Sequence, residues 1–210
     1  LECMKKMLIT LSTLLLTFSV VIPAQAVENG EDATGNAFVV PITWELGNGK
    51  WAGCTGTLIA PSIVVTAGHC VLDVNGLLTK NVYVGQAGSS QDSITLKDKV
   101  ASIQITSTFQ NGAGGVVGDD DLAFLTLDKP QILRVSIILA SEKQVTEFKS
   151  KAIALKAIGY GEYTNSGTEK ITFPKTFDGT YGSTNSLYSN SAYMVSKNGR
   201  SCAGDSGGPI

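Results

Sequence analysis

From Val27 onward the apolar residues come in short runs rich in Val, Ile and Thr, with Gly, Asn or Asp between them. That pattern suits half-buried strands joined by tight turns and leaves little room for long helices. The runs Ala37–Trp44, Trp51–Ile59, Ser62–Ala67, Val82–Gly85, Ser93–Lys97 and Val100–Thr106 all read as strands. So do Asp121–Leu127, closed by Asp128-Lys129-Pro130, and Ala152–Tyr160. Ser141–Lys149 is read as a short helix, with Ser141 as its cap and Gln144 three residues on. Ser, Thr, Asn and Gly dominate Asn165–Asn190, which is read as turns and weak strands. No repeat of 20–50 residues is present. The chain is all-β, and on pattern alone a sandwich and a barrel fit equally.

Its 210 residues suffice for one large domain or two small ones. A hydrophobic share of 43% with 16% charged residues argues against a disordered chain. A net charge of −2 gives no electrostatic basis for nucleic acid or acidic lipid as the main partner.

The first 26 residues stand apart from the fold. Leu1-Glu2-Cys3 precedes Met4, read as the start, and Cys3 is given no role. After Met4 come two lysines, the apolar stretch Leu8–Ile22 and Pro23-Ala24-Gln25-Ala26. This is the layout of a secretory signal with a small-x-small cleavage site. An uncleaved anchor is the alternative, but the stretch is short for a membrane span. Export of the chain from Val27, with a net charge of −3 and no membrane attachment after cleavage, is therefore expected.

Three motifs carry the chemistry: Thr66-Ala67-Gly68-His69-Cys70, Asp121-Leu122-Ala123-Phe124-Leu125 and Gly204-Asp205-Ser206-Gly207-Gly208-Pro209. His69 is the one histidine of the chain, so any step that needs imidazole must use it. A serine hydroxyl is a weak nucleophile until a base takes its proton, and an imidazole titrates near neutrality. In this order the three motifs resemble those of the trypsin/chymotrypsin-like serine proteases, and the resemblance spans Val27 to Ile210.

That resemblance implies a catalytic triad of His69, Asp121 and Ser206. Asp121 is preferred over Asp119 and Asp120, both expected in solvent, because it directly precedes Leu-Ala-Phe-Leu. The backbone N–H groups of Gly204 and Ser206 would form the oxyanion hole. The implied fold is two antiparallel Greek-key β-barrels, residues 27–130 carrying His and Asp and residues 131–210 carrying Ser. The family chain continues past the nucleophile loop, so the second barrel is expected to be incomplete in a chain that stops at Ile210. The implied activity is a secreted endopeptidase working through an acyl-enzyme with no metal or cofactor. The alternative is a non-catalytic, protease-like binding module or an inactive fragment.

Further expectations follow from the same resemblance. Cys54 and Cys70 would be disulfide-bonded, buried free thiols being the alternative, while Cys202 lacks its family partner. Arg200, six residues before Ser206, would sit at the base of the specificity pocket and disfavour Lys or Arg in the substrate, unless it swings out to solvent. Val27, freed by signal cleavage, would pair its α-amine with Asp205. A buried carboxylate without a cation is costly, so the loop is expected to keep Asp205 out of the interior until that amine arrives. Partners would be protein or peptide substrates and protein protease inhibitors, and the protein a monomer.

Overall fold

The structure is a computed structural model that describes residues 30–106, 120–151, 153–161, 172–182, 193–197, 199 and 201–210. Ten strands and one α-helix occur among them: β1 (Glu31–Asp32), β2 (Val39–Gly47), β3 (Lys50–Ala60), β4 (Ile63–Thr66), β5 (Val82–Val84), β6 (Val100–Ile105), β7 (Ala123–Leu127), α1 (Glu142–Ser150), β8 (Ala154–Gly159), β9 (Lys175–Gly182) and β10 (Tyr193–Ser196).

All pairings are antiparallel. Six strands form the first sheet in the order β5-β2-β3-β4-β7-β6. An isolated bridge between Tyr83 of β5 and Lys99, the residue before β6, brings the two ends of the sheet near each other, so the sheet curls. Alternation along the strands sends Val40, Ile42, Leu58, Val64, Val82 and Leu125 into one fully buried core. Each such side chain contributes about 1.5–3 kcal/mol of burial free energy.

In the second sheet β9 is central, paired with β8 along one edge and with β1 and β10 along the other. β1 thus lies at the start of the described chain yet joins the later sheet. Helix α1 sits between the sheets in sequence. Ser141 caps it, accepting from the Gln144 N–H, while the Gln144 side chain reaches back to Ser141 N–H at 2.9 Å.

Two sequence expectations are corrected. Ser93–Lys97 is not a strand but parts of two 3₁₀ turns, Gln91–Ser93 and Leu96–Asp98. The hydroxyls of Ser90 and Thr95 accept from the N–H groups of Asp92 and Lys97, a local bonding that outcompetes a ladder. Within Asn165–Asn190, expected as turns and weak strands, Lys175–Gly182 is an eight-residue strand at the heart of its sheet. Its order comes from neighbours on both edges, with Thr176 and Phe177 buried on its two faces. The rest of that segment lies largely outside the described residues.

Candidate active site

Strand register brings the first two motifs together. Thr66, the last residue of β4, pairs with Ala123, the first of β7. The chain leaving β4 therefore runs beside the chain entering β7. After Thr66 it makes a 3₁₀ turn, Gly68–Val71, which carries His69. This turn is pinned twice. Cys70 is disulfide-bonded to Cys54 on β3, and the indole Nε1 of Trp44 donates to the Leu72 carbonyl at 2.8 Å. A bridge closing so short a loop stabilises by about 3 kcal/mol. On the other side Asp120 adopts a left-handed φ of 70°, and its carbonyl accepts from Leu122 N–H at 2.7 Å. That sharp bend sends Asp121 inward and leaves Asp120 exposed, as expected for it.

Both oxygens of Asp121 are spent on His69. Oδ1 accepts from the His69 backbone N–H at 2.8 Å, and Oδ2 lies 2.7 Å from the ring Nδ1. The side chain of Asp121 is only 9% exposed, that of His69 33%. One carboxylate thus fixes both the backbone and the ring of the histidine, and directs Nε2 away from itself. Cys54, His69 and Cys70 bring nitrogen and sulfur atoms within 4.8 Å of one another. The two sulfurs are bonded to each other and offer no thiolate to a metal.

The third motif arrives from the other sheet. The Ser206 carbonyl accepts from Thr55 N–H on β3 at 3.0 Å and lies 3.8 Å from Cys70 Sγ. The Gly204–Pro209 loop is therefore laid against the disulfide next to His69. Among the described residues the Ser206 hydroxyl has no hydrogen bond to the His69 ring, a contact that often tightens only when substrate binds. Gly204 and Gly207 have φ of +96° and +80°, values that side chains rarely tolerate. Gly207 is also pressed onto the first sheet, where a Cβ would collide with Thr66 Oγ1 and the Ala67 nitrogen. The N–H groups of Gly204 and Ser206 have no acceptor among the described residues, whereas Asp205 N–H donates to Cys202 and Gly208 N–H to Asp205.

Asp205 departs from expectation. Its carboxylate is already turned inward, against the bare Cα atoms of Gly159 and Gly161. Gly161 N–H donates to Oδ1 at 2.7 Å and Cys202 N–H to Oδ2 at 2.8 Å. Burial raises its pKa, and these two N–H groups oppose that shift. Backbone donors thus meet the carboxylate where sequence reasoning foresaw only a cation. Between β8, β9, β10 and this loop opens a cavity of about 510 Å³, lined by Phe177, Met194, Ser196, Ser201 and Ser206 among others. Cys202 also lines it and is the free cysteine among the described residues. Val27, Asp119 and Arg200 lie outside the described residues, so the amine pairing and the pocket base are not seen.

The sequence alone assigned no role to Thr55, to Thr66 within the first motif, or to the Gly159-Tyr160-Gly161 triplet. Two glycines flanking a Tyr at the end of the expected strand Ala152–Tyr160 were the available signal for the last of these.

The Trypsin family profile matches residues 27–210. The chain belongs to the trypsin family. It is 29% identical over 171 residues to a trypsin of Saccharopolyspora erythraea, covering 75% of this chain and 69% of that one. Its structure is similar to that of HL collagenase, with a TM-score of 0.63, 20% identity and coverage of 86% of this chain and 79% of the other. That likeness supports the double β-barrel fold of trypsin-like proteins for the all-β chain. Among the described residues no helix is long and apolar enough to cross a membrane.

Proposed function

We propose that the protein is a secreted serine endopeptidase that cleaves peptide bonds through His69, Asp121 and Ser206. The observation that carries this reading is the double grip of Asp121 on the backbone N–H and the Nδ1 of His69. With Nδ1–H donating to Asp121, Nε2 keeps its lone pair and acts as the base. The Ser206 Oγ attacks the substrate carbonyl carbon as its proton passes to Nε2. The oxyanion takes up the open N–H groups of Gly204 and Ser206, each such donor lowering the barrier by about 2.7–4 kcal/mol. The imidazolium then gives its proton to the departing amine, leaving an acyl-Ser206 ester. Water, deprotonated by His69, releases the acid and restores the serine.

The cavity beside Ser206 would take the substrate side chain on the acyl side of the cleaved bond. The family resemblance would bring Arg200 to the base of the specificity pocket, where it would disfavour Lys and Arg. The Val27 α-amine, exposed by cleavage after Ala26, would join Gly161 and Cys202 at Asp205 and stiffen the loop. Peptide or protein substrates and protein inhibitors are the partners this chemistry fits.

The test is hydrolysis of a chromogenic peptide ester. Wild-type protein turns it over, and Ser206→Ala and His69→Ala each lower kcat by about four orders of magnitude or more. Substantial turnover by His69→Ala would show that another group is the base.

A further inference from the structure

We propose that Thr55 is a positioning residue for this reaction: it clamps the carbonyls of both residues whose N–H groups form the oxyanion hole. The inference rests on the protease reading above and adds a residue to it. Thr55 lies on β3, next to disulfide-bonded Cys54, and is fully buried. Every polar atom it has is in use. Its N–H donates to the Ser206 carbonyl at 3.0 Å. Its hydroxyl donates to the Gly204 carbonyl at 2.8 Å and accepts from Tyr160 N–H at 2.8 Å. Its carbonyl accepts from the Thr66 hydroxyl at 2.8 Å.

A hydroxyl has one proton to give and lone pairs to receive with, so these two contacts define a single rotor setting. Fixing the carbonyls of Gly204 and Ser206 fixes the peptide planes that follow these two residues; the two planes flank the one that carries the Ser206 N–H and anchor the Gly204 Cα, one bond from its own N–H. Gly204 most needs such a clamp, because a glycine at φ +96° has the widest freedom to turn. The Tyr160 contact adds a third strut, since the next residue, Gly161, holds the Asp205 carboxylate. The hydroxyl thus joins the sheet bearing the base, the loop bearing the nucleophile and the strand end that supports the loop. Catalytic donors must lie 2.7–3.1 Å from the oxyanion, and a displacement of about 1 Å can cost about 10²-fold in rate.

Thr55→Val keeps shape and burial but leaves the Gly204 carbonyl and the Tyr160 N–H without a partner. Its kcat is expected to fall about 10²-fold with KM changed less than about threefold, because the pocket walls on β9 and β10 are untouched. Binding of a peptide boronic acid, which mimics the tetrahedral intermediate, should weaken by a similar factor. Thr55→Ser restores the hydroxyl and should return kcat to within about threefold of wild type. Wild-type turnover in a folded Thr55→Val protein would overturn the proposal, as would equal losses in the Val and Ser variants.

Amide exchange needs no variant and no activity. The Tyr160 amide of the wild-type protein should exchange slowly, and fast exchange there overturns the clamp even if Thr55→Val does not fold. A wild-type protein that cleaves no substrate, with Tyr160 protected, would instead end the protease reading and with it the catalytic role of the clamp.

Discussion

The part that carries His69 and Asp121 is a curled six-stranded sheet whose His69 turn a disulfide ties to β3, whereas the loop that carries Ser206 leans on contacts borrowed from that sheet. The first sheet encloses one large core, running from Val40 and Ile42 to Leu125 and Leu127. Among the described residues the second has a core of Ala157 and Phe177, with Met194 packed against them. The His69–Asp121 pair is therefore set within one body, by the register of β4 and β7. The place of Ser206 is a property of the contact between two bodies, made by Thr55, Thr66 and the disulfide.

If the first barrel is the rigid body, its core substitutions should be the most costly. Leu58→Ala, at a fully buried position of β3, is expected to lose about 2–5 kcal/mol in urea unfolding. Phe177→Ala empties a site with fewer buried neighbours and should lose less than Leu58→Ala, although its side chain is larger. The reverse order would break the comparison.

A substitution where the loop is seated on the first sheet sharpens it further. Gly207→Ala adds a Cβ where Thr66 Oγ1 and the Ala67 nitrogen stand, at a φ of +80°. The loop must shift away from β3 and β4, so kcat/KM for the peptide ester should fall by about 10²-fold, or about 2.7 kcal/mol. Activity within about threefold of wild type would mean the loop does not depend on that seating.

What the sequence disclosed follows the same division. The motifs of His69, Asp121 and Ser206, which the structure brings to one region, stand out in the sequence because each is short and distinctive in its residue types. The strands of the first barrel were legible because their apolar residues alternate over runs long enough to show it. Lys175–Gly182 was not, since Thr, Asp and Gly alternate there with two aromatic residues and the strand is ordered by its partners. Ser93–Lys97 misled in the opposite direction, because the cap-forming Ser90, Thr95 and Asp98 outweigh its strand-like residues. Thr55 was hidden for a different reason. The groups its hydroxyl joins lie 149 and 105 positions away in the chain, and no local pattern encodes contacts of that span.

Labelling with a fluorophosphonate tests the central claim most directly. In the proposed reaction the Ser206 Oγ would attack phosphorus, fluoride would leave, and the phosphonyl oxygen would take the place of the oxyanion. Mass spectrometry of the digested protein should find one phosphonyl group per chain, on the peptide that contains Ser206, and His69→Ala should slow its attachment by about three orders of magnitude or more. A label on a different serine, or labelling of Ser206 at an unchanged rate in His69→Ala, would contradict the account.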